Sequence, residues 1–195
     1  GMPVPPDKLA AASDESLMEW VQQGEEAAFT ILYQRYGDRL YRYFYRMLGQ
    51  DEEQAGDFTQ ELFMKLVERP EAFDTRRRFS SWFYAVAGNM VKNEYRRRQR
   101  NPLPAALPED QLPETQPRQL FSQLDAKVRR EYLEKAVASL SPAHRSCFLL
   151  RYQEELSIQE ISEIVGCPEG TVKSRIHYAL RRLNEQLSCV LGPEI

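Results

Sequence analysis

The stretch that most constrains the fold of this chain is residues 157–183, SIQEISEIVGCPEGTVKSRIHYALRRL. Ser157 and Glu160 have the spacing of a capping box, so a helix is expected to begin here. Gly166 is expected to end it, since glycine readily takes the positive φ at which many helices stop. Pro168 suits the first turn of a second helix, because proline lacks only an N–H that would be unpaired there. The stretch therefore predicts two helices separated by a tight turn.

The second of these helices is expected to be apolar on one face and basic on the other. Its apolar positions recur at helical spacing: they are Val172, Ile176, Ala179, Leu180 and Leu183. Its basic positions are Lys173, Arg175, Arg181 and Arg182. A short helix, a glycine turn and a basic helix describe a helix-turn-helix, whose second helix enters the DNA major groove. An αα-hairpin with a solvated basic face is the alternative interpretation of this stretch.

Charge is unevenly distributed along the chain, although the net charge is only −3. Residues 51–74 carry eight acids against two bases, and residues 76–100 carry eight bases against one acid. Neighbouring acidic and basic segments indicate two binding surfaces, one of them for a polyanion. The three cysteines are widely spaced and form no CxxC pair, which favours reduced thiols over a zinc site or a disulfide framework.

Helical periodicity dominates the first hundred residues, and no stretch alternates with the two-residue period of a strand. Asp14 is expected to cap a short helix that Gly24 ends, and longer helices are expected over about 25–48, 51–69 and 80–100. The side chains expected to face inward are Phe29, Leu32, Tyr33, Tyr36, Leu40, Tyr43, Phe44, Met47, Phe58, Leu62, Phe63, Leu66, Val67, Trp82, Phe83, Val86, Met90 and Val91.

Proline divides the chain in two. Residues 101–118 hold five of the twelve prolines, a composition that predicts an extended linker. A helical pattern resumes near Gln119 and runs to Ser139, and Ser141 then caps a helix that runs through Tyr152. The expected fold is all-α, with two small helical domains joined by a Pro-rich linker and a helix-turn-helix in the C-terminal one. The expected boundaries are 1–13 for a disordered tail, 14–100 for the first domain, 101–128 for the linker and 129–190 for the second domain.

The helix expected over 80–100 combines aromatic and cationic side chains. Aromatic rings stack on unpaired bases while cations follow the nucleic-acid backbone, and asparagine can pair with a base edge through both its donor and its acceptor. The pattern suits single-stranded or melted DNA. The alternative is that the aromatics are core and the arginines a solvated face, which is the stronger interpretation for Trp82, Phe83 and Met90 because of their helical spacing.

Four blocks of sequence, in a fixed order, resemble one known family. They are GEEAAFTILYQRYGDRLYRYFYRMLG at 24–49, DFTQELFMKLVERPEAFD at 57–74, RFSSWFYAVAGNMVKNEYRRRQR at 78–100, and the block at 140–183 that contains the predicted helix-turn-helix. Together they resemble the extracytoplasmic-function (ECF) group of bacterial RNA polymerase sigma factors. Residues 101–128 leave room only for a linker, as in this small group, whereas larger sigma subfamilies carry an additional middle domain.

The resemblance implies that residues 14–100 are sigma domain two, which docks on core RNA polymerase and opens the promoter −10 element. The D-x-x-Q-E run matches the docking motif, and the residues implied for docking are Asp57, Gln60, Glu61 and Phe63. The loop at 74–81 and the basic helix are implied to hold a flipped non-template base. The residues implied for −10 binding are Trp82, Asn89, Lys92, Asn93, Arg96 and Arg97.

The resemblance also implies that residues 129–190 are sigma domain four, which reads the −35 duplex with the second helix of the helix-turn-helix. The residues implied for this contact are Thr171, Lys173, Ser174, Arg175, His177, Tyr178 and Arg181. An anti-sigma protein is a further implied partner, since such proteins often clamp both domains of a sigma factor.

The leading interpretation is thus a cytoplasmic promoter-specificity subunit that acts by binding, with no catalytic residue, metal or cofactor of its own. No apolar run is long enough to span a membrane. A free-standing regulator that binds a palindromic operator as a dimer is the second interpretation, although no dimerisation helix is evident. The third is an enzyme with an attached helix-turn-helix; its chemistry would need a nucleophile or a carboxylate–metal cluster, whereas His144 and His177 lie far along the chain from the acids of 51–74.

Overall fold

The computed structural model describes residues 2–101 and 126–191, with side chains described as far as Leu187. Within these ranges the chain is helical and contains no strand. The helices are α1 Pro6–Ala11, α2 Asp14–Gln22, α3 Glu26–Met47, α4 Glu52–Glu68, α5 Phe79–Arg100, α6 Ala126–Ala138, α7 Pro142–Tyr152, α8 Ile158–Val165 and α9 Glu169–Leu191, with a 3-10 turn at Pro70–Ala72. Two compact units form, the first mainly from α1 to α5 and the second mainly from α6 to α9. The predicted all-α fold is confirmed, whereas the proline-rich segment and the helical pattern near Gln119 lie outside the described residues.

The N-terminal segment departs from the prediction of a disordered tail. Pro6–Ala11 forms α1, and the Leu9 side chain is only 3% exposed. The Arg35 guanidinium of α3 donates a hydrogen bond to the Ala10 carbonyl at 3.0 Å, which satisfies an acceptor at the end of α1. Amino-acid composition predicts a disordered segment here because composition carries no information about the contact between α1 and α3.

The first turn of α2 corrects the predicted cap by one residue. The Ser13 hydroxyl accepts the Ser16 N–H at 3.1 Å, so Ser13 and not Asp14 is the N-cap. The Asp14 carboxylate instead forms an ion pair with Arg35 at 2.9 Å and accepts a hydrogen bond from the Tyr36 hydroxyl. Burial, reinforced by this hydrogen bond, raises the pKa of Tyr36 above its usual range. Asp14 therefore fastens α2 to α3.

The core of the first unit is built largely from aromatic rings on α3, α4 and α5. The Tyr36 ring meets Phe79 and Phe83 edge-to-face, at centroid distances of 5.3 and 5.8 Å, and Phe63 meets Phe83 at 5.2 Å in the same manner. Each such pair contributes about 0.5–1.5 kcal/mol beyond its area burial. Phe83 has no exposed surface, so α5 is anchored along the face that carries these rings.

Some side chains predicted to face inward do not. Tyr33 and Val67 are 52% and 50% exposed, which contradicts the prediction for both. Trp82, Val86, Phe29 and Phe58 are half-buried. The space in the core is filled instead by residues that the pattern omitted, which are Phe79, Tyr84 and Ala87, all without exposed surface. Helical periodicity identifies the apolar side of each helix. It does not determine how many positions on that side the neighbouring helices bury.

The second unit is centred on the packing of α7 against α9. Cys147 of α7 and Val172 of α9 are fully buried, whereas Leu180 is 40% exposed and was wrongly predicted to face inward. The Ser141 hydroxyl pairs with Nδ1 of His144 and makes no side-chain bond to a backbone N–H. Among the described helices, none combines the length and the apolar character that crossing a membrane requires.

Candidate nucleic-acid interface

Two hydrogen-bonded turns shape the helix-turn-helix of the second unit. At the start of α8, the Ser157 N–H donates to the Glu160 carboxylate at 2.8 Å, and the Glu160 N–H donates to the Ser157 hydroxyl at 3.1 Å. The predicted capping box is therefore confirmed. At the end of α8, Gly166 has a φ of 71°, and the Ser162 hydroxyl donates to the Cys167 carbonyl at 2.6 Å. These bonds fix the turn from which α9 departs.

Burial and charge lie on opposite sides of α9. Val172 and Ala179 are fully buried against the rest of the unit. Of the residues implied for −35 binding, Lys173, Ser174, His177, Tyr178 and Arg181 are exposed, and Thr171 and Arg175 are half-buried. No acid lies between Thr171 and Leu183, so this face offers cations to phosphates. Arg182 is paired with the Glu185 carboxylate at 3.7 Å, so phosphate would have to compete with that contact.

Two of these residues turn toward α7 rather than straight outward. The Tyr178 ring stacks on His144 with ring centroids 4.3 Å apart and 30° between the ring planes. Burial lowers the pKa of His144, and the charge of the Arg175 guanidinium lowers it further. Burial likewise raises the pKa of the Cys147 thiol, while the charge of Arg175 and its hydrogen bond to the thiol partly offset that rise. His144 thus joins the site from another helix, and no pattern in the sequence pointed to it.

The residues implied for −10 binding occupy α5 in two different settings. Asn89, Lys92, Asn93 and Arg96 are exposed, and their spacing of three and four residues places them on neighbouring turns of one helix. Trp82 is half-buried, since its ring lies against Phe73 at 5.1 Å and Phe83 at 6.1 Å. The exposed set can reach DNA directly, while Trp82 presents part of its ring from a packed position.

Arg97, the last of the six residues implied for −10 binding, is engaged within the helix. Its guanidinium donates two hydrogen bonds to the Glu94 carboxylate, at 2.7 and 2.8 Å, and Glu94 also accepts one from Arg98 at 3.1 Å. Glu94 is only 7% exposed. The fork geometry of arginine suits such a bidentate contact, and contact between Arg97 and phosphate would have to compete with it.

The loop that precedes α5 is braced by its own side chains. The Asp74 carboxylate accepts the Arg76 backbone N–H at 3.0 Å and two hydrogen bonds from the Arg76 guanidinium, at 3.0 and 2.9 Å. These bonds lower the pKa of Asp74 to about 2. The basic run Arg76–Arg78 therefore contains one arginine that is folded back onto the loop itself.

The acidic stripe implied for polymerase docking lies on the surface of α4. Asp57, Gln60 and Glu61 are exposed, and Glu61 forms an ion pair with Lys65 at 3.6 Å. Phe63 does not share that exposure, because it is 3% exposed and its ring meets Tyr33 at 4.9 Å. The ring of Phe63 thus packs α4 against α3, and its implied contact with core polymerase stays a prediction.

Exposed apolar side chains border this acidic stripe. Met64 and Val67 of α4 are 49% and 50% exposed, and Tyr33 of α3 is 52% exposed. A groove runs between the two helices here, and its lining includes Tyr33, Asp38, Gln60 and Met64. The face thus combines negative charge with apolar surface, which is the composition expected for a partner that is both basic and apolar.

Two domain families match this chain. Residues 32–101 match the family described as Sigma-70 region 2, and residues 130–183 match Sigma-70, region 4. These domains define the class of sigma-70-type transcription factors. The chain is 33% identical over 178 residues to the ECF RNA polymerase sigma factor SigW of Bacillus subtilis, an alignment that covers 86% of this chain and 92% of SigW. It is 34% identical over 165 residues to the ECF RNA polymerase sigma factor SigL of Mycobacterium tuberculosis, covering 82% and 88%. The chain therefore belongs to the ECF group of RNA polymerase sigma factors.

Solved structures agree on the fold. CnrH, solved in complex with the cytosolic domain of CnrY, superposes with a TM-score of 0.68 at 21% identity, covering 90% of this chain and 97% of CnrH. RpoE of Bartonella quintana, solved in complex with the anti-sigma factor NepR, gives a TM-score of 0.64 at 22% identity, covering 82% and 96%. A shared fold does not assign roles to individual residues, so the roles of the residues implied for promoter and polymerase contact are proposals.

Proposed function

We propose that this chain acts as an ECF sigma factor that binds core RNA polymerase and directs it to specific promoters through two DNA-binding modules. The observation that carries this proposal is the difference between its two basic helices. Helix α9 presents exposed cations such as Lys173 and Arg181 in a helix-turn-helix, while α5 mixes exposed amides and cations with a half-buried indole. The first arrangement suits duplex DNA and the second suits unpaired bases.

The proposed −35 contact is made by α9. Lys173 and Arg181 supply exposed positive charge, and the Arg181 guanidinium can also pair bidentately with a guanine. The Ser174 hydroxyl donates to the Gly170 carbonyl at 3.0 Å and can still accept a hydrogen bond, and His177 offers its ring nitrogens on the same outward side. Arg175 can pair bidentately with a guanine when its guanidinium leaves Cys147. Thr171 lies in the first turn of α9 and Tyr178 against His144, so both can contact the backbone at the edge of the groove.

The proposed −10 contact is made by α5 and the loop before it. Flipping a base out of the duplex costs a few kcal/mol, which contacts with the extruded base and with the single strand must offset. The ring of Trp82 offers a surface for stacking, and Asn89 offers a paired donor and acceptor at an exposed position. Asn93 can do the same once its Oδ1 gives up the hydrogen bond that it accepts from Arg96 at 3.5 Å. Lys92 and Arg96 are suited to the backbone, as is Arg97 once it exchanges Glu94 for phosphate.

The proposed polymerase contact is the acidic and apolar face of α4. Asp57, Gln60 and Glu61 give it charge and hydrogen-bonding capacity, and the exposed Met64 beside them gives it apolar area. Interfaces that combine an apolar centre with a charged rim gain affinity from the former and orientation from the latter. Phe63 supports this face from below.

An anti-sigma protein is the proposed regulatory partner. RpoE of Bartonella quintana, a structural neighbour of this chain, was solved with an anti-sigma factor bound. We further propose that the chain works in the cytoplasm, where polymerase and promoters are found. We also propose that it has no catalytic activity of its own, because every step assigned to it is a binding step.

Run-off transcription with purified core polymerase on genomic fragments tests the proposal. Addition of the chain is expected to produce discrete starts downstream of a shared pair of sequence elements, and polymerase alone is the control. A free-standing dimeric regulator would instead bind palindromic duplex tightly without polymerase, with half-sites about one helical turn apart. Failure to associate with core polymerase, together with no new starts, would disprove the proposal.

A further inference from the structure

Helix α2 makes contacts that the polymerase and promoter surfaces described above do not use. Two of its side chains, Glu15 and Gln22, reach backbone groups at both ends of the segment that joins α4 to α5. That segment, residues 70–79, includes the loop proposed to act at the −10 element. All of these residues belong to the first unit.

Gln22 binds the beginning of the segment through both donors of its amide. Its Nε2 donates to the Pro70 carbonyl at 2.9 Å and to the Phe73 carbonyl at 3.0 Å. A primary amide has two N–H groups, so one side chain spans the whole 3-10 turn Pro70–Ala72. The Pro70 carbonyl also accepts the Phe73 backbone N–H at 3.3 Å, so the Gln22 amide reinforces the turn and holds the chain where it leaves α4.

Glu15 binds the end of the segment. Its carboxylate accepts the backbone N–H of Phe79, the first residue of α5, at 3.0 Å. The first N–H groups of a helix have no partner inside the helix, and a carboxylate at this end is favoured by the helix dipole. Glu15 therefore serves as the N-terminal cap of α5 from another helix, and it fixes the point at which the basic helix begins.

Between these two anchors, the remaining loop is short and internally braced. The Asp74–Arg76 pair closes it with three hydrogen bonds. A loop that is already held in one shape loses less conformational entropy when it binds than a free loop does. Ordering of this kind raises affinity for an extruded base without any new contact to it.

We propose that Glu15 and Gln22 are positioning residues for promoter opening, which hold residues 73–79 in the conformation that captures an unpaired base. This inference rests on the proposed function of the same loop. Neither residue needs to touch DNA or polymerase. The geometry makes opposite demands on the two side chains, because position 15 must accept a hydrogen bond and position 22 must donate two.

Isosteric exchanges test these demands. Gln22→Glu replaces both donors with an anion that faces two carbonyl oxygens, and it is expected to slow open-complex formation about tenfold, equivalent to about 1.4 kcal/mol. Gln23→Glu makes the same charge change at the next, exposed residue and is expected to leave the rate within twofold. Glu15→Gln keeps a hydrogen-bond acceptor and is expected to leave the rate of open-complex formation nearly unchanged. Glu15→Ala removes the acceptor and is expected to slow opening, whereas its control, Glu19→Ala, is not.

The measurement is the rate of open-complex formation by the holoenzyme, followed with a fluorescent base analogue in the −10 element of a promoter that run-off transcription has identified. A second template carries mismatches across the −10 element, so that its bases are already unpaired. The Gln22→Glu defect is expected to shrink to about twofold or less on this template, since the cost of unpairing has been removed. Affinity for core polymerase, measured by competition, is expected to stay unchanged.

Several outcomes would overturn the inference. The first is an equal rate of open-complex formation for Gln22→Glu and Gln23→Glu, and the second is an equal loss of rate by Gln22→Glu on the duplex and the mismatched template. The third is a fall in polymerase affinity together with a lower melting temperature, which would show general destabilisation. A wild-type chain that gives no open complex with core polymerase would instead contradict the proposed function itself. The two failures are therefore distinguishable.

Discussion

Helices α5 and α9 are both assigned to DNA, but they relate differently to the core of their units. On α9, buried and exposed residues occupy opposite faces, and residues such as Lys173 and Arg181 are exposed. On α5, the half-buried Trp82 lies beside Phe83, which has no exposed surface. A helix that reads an intact duplex needs only a rigid support and a free face. A helix that captures unpaired bases must also offer a shaped aromatic surface, which comes from the core itself.

The comparison predicts that changes at packed positions of α5 disturb folding and DNA opening together, whereas changes at exposed positions of α9 alter base preference alone. Phe83→Ala should give the largest effect, a loss of about 3–5 kcal/mol in the free energy of unfolding, because it empties a fully buried site among aromatic rings. Urea denaturation followed by circular dichroism measures this. Val67→Ala, at a half-exposed position of α4, is the matched control and should change stability by less than about 1 kcal/mol. A similar small change for Phe83→Ala would show that α5 is not held by its rings.

Arg181→Ala tests whether the exposed face of α9 reads bases of the −35 element. If Arg181 pairs with a guanine, its loss should cost about 1–3 kcal/mol of −35 recognition and relax preference at one position. Competition binding of holoenzyme to promoters that differ in single −35 bases measures this, and the melting temperature should not change.

Arg175→Ala should produce a similar loss, with an added effect on stability because its guanidinium also contacts Cys147. Unchanged base preference in either variant would remove that arginine from the set of readers.

Asp57→Ala should separate polymerase docking from both DNA contacts. Removal of an exposed charge at the edge of an interface mainly slows association, so affinity for core polymerase should fall several-fold and the fall should be smaller at high salt. Competition against a labelled sigma factor measures this, with helicity as the check on folding. A loss of helicity would mean that Asp57 is needed for the fold of α4 rather than for docking.

The stack of His144 on Tyr178 should give the smallest effect. Burial and the Arg175 charge lower the pKa of His144 in the folded protein. The unfolded chain therefore binds a proton more readily as the pH falls through the ordinary histidine range, and folded-state stability should decline below about pH 6.5. His144→Phe keeps the ring and removes the titration, so its −35 binding between pH 5.5 and 7.5 should vary less than that of the wild type. An identical pH profile in the two proteins would contradict this role for His144.

The sequence predicted more of the site on α9 than on α5. For α9, the helical spacing of apolar and basic residues was enough to predict most of the exposed face, although Leu180 was expected to face inward and is 40% exposed. For α5, the same reasoning placed Trp82 inward and left out Phe79 and Tyr84, because aromatic rings are long enough to reach the core from several positions of a helix. His144 was not foreseen, since its relation to Tyr178 depends on the packing of α7 against α9.

The sequence by itself determined the helix-turn-helix, because its signals are local: Ser157 and Glu160 are three residues apart, and Gly166 needs only its own φ. Only the tertiary structure decided the partners of α2. Asp14, read as a cap, binds Tyr36, 22 residues away, while Glu15 and Gln22 reach Phe79 and Pro70 across 64 and 48 residues. A carboxylate or amide has many possible partners along a chain, and packing selects among them by bringing one set within hydrogen-bonding distance.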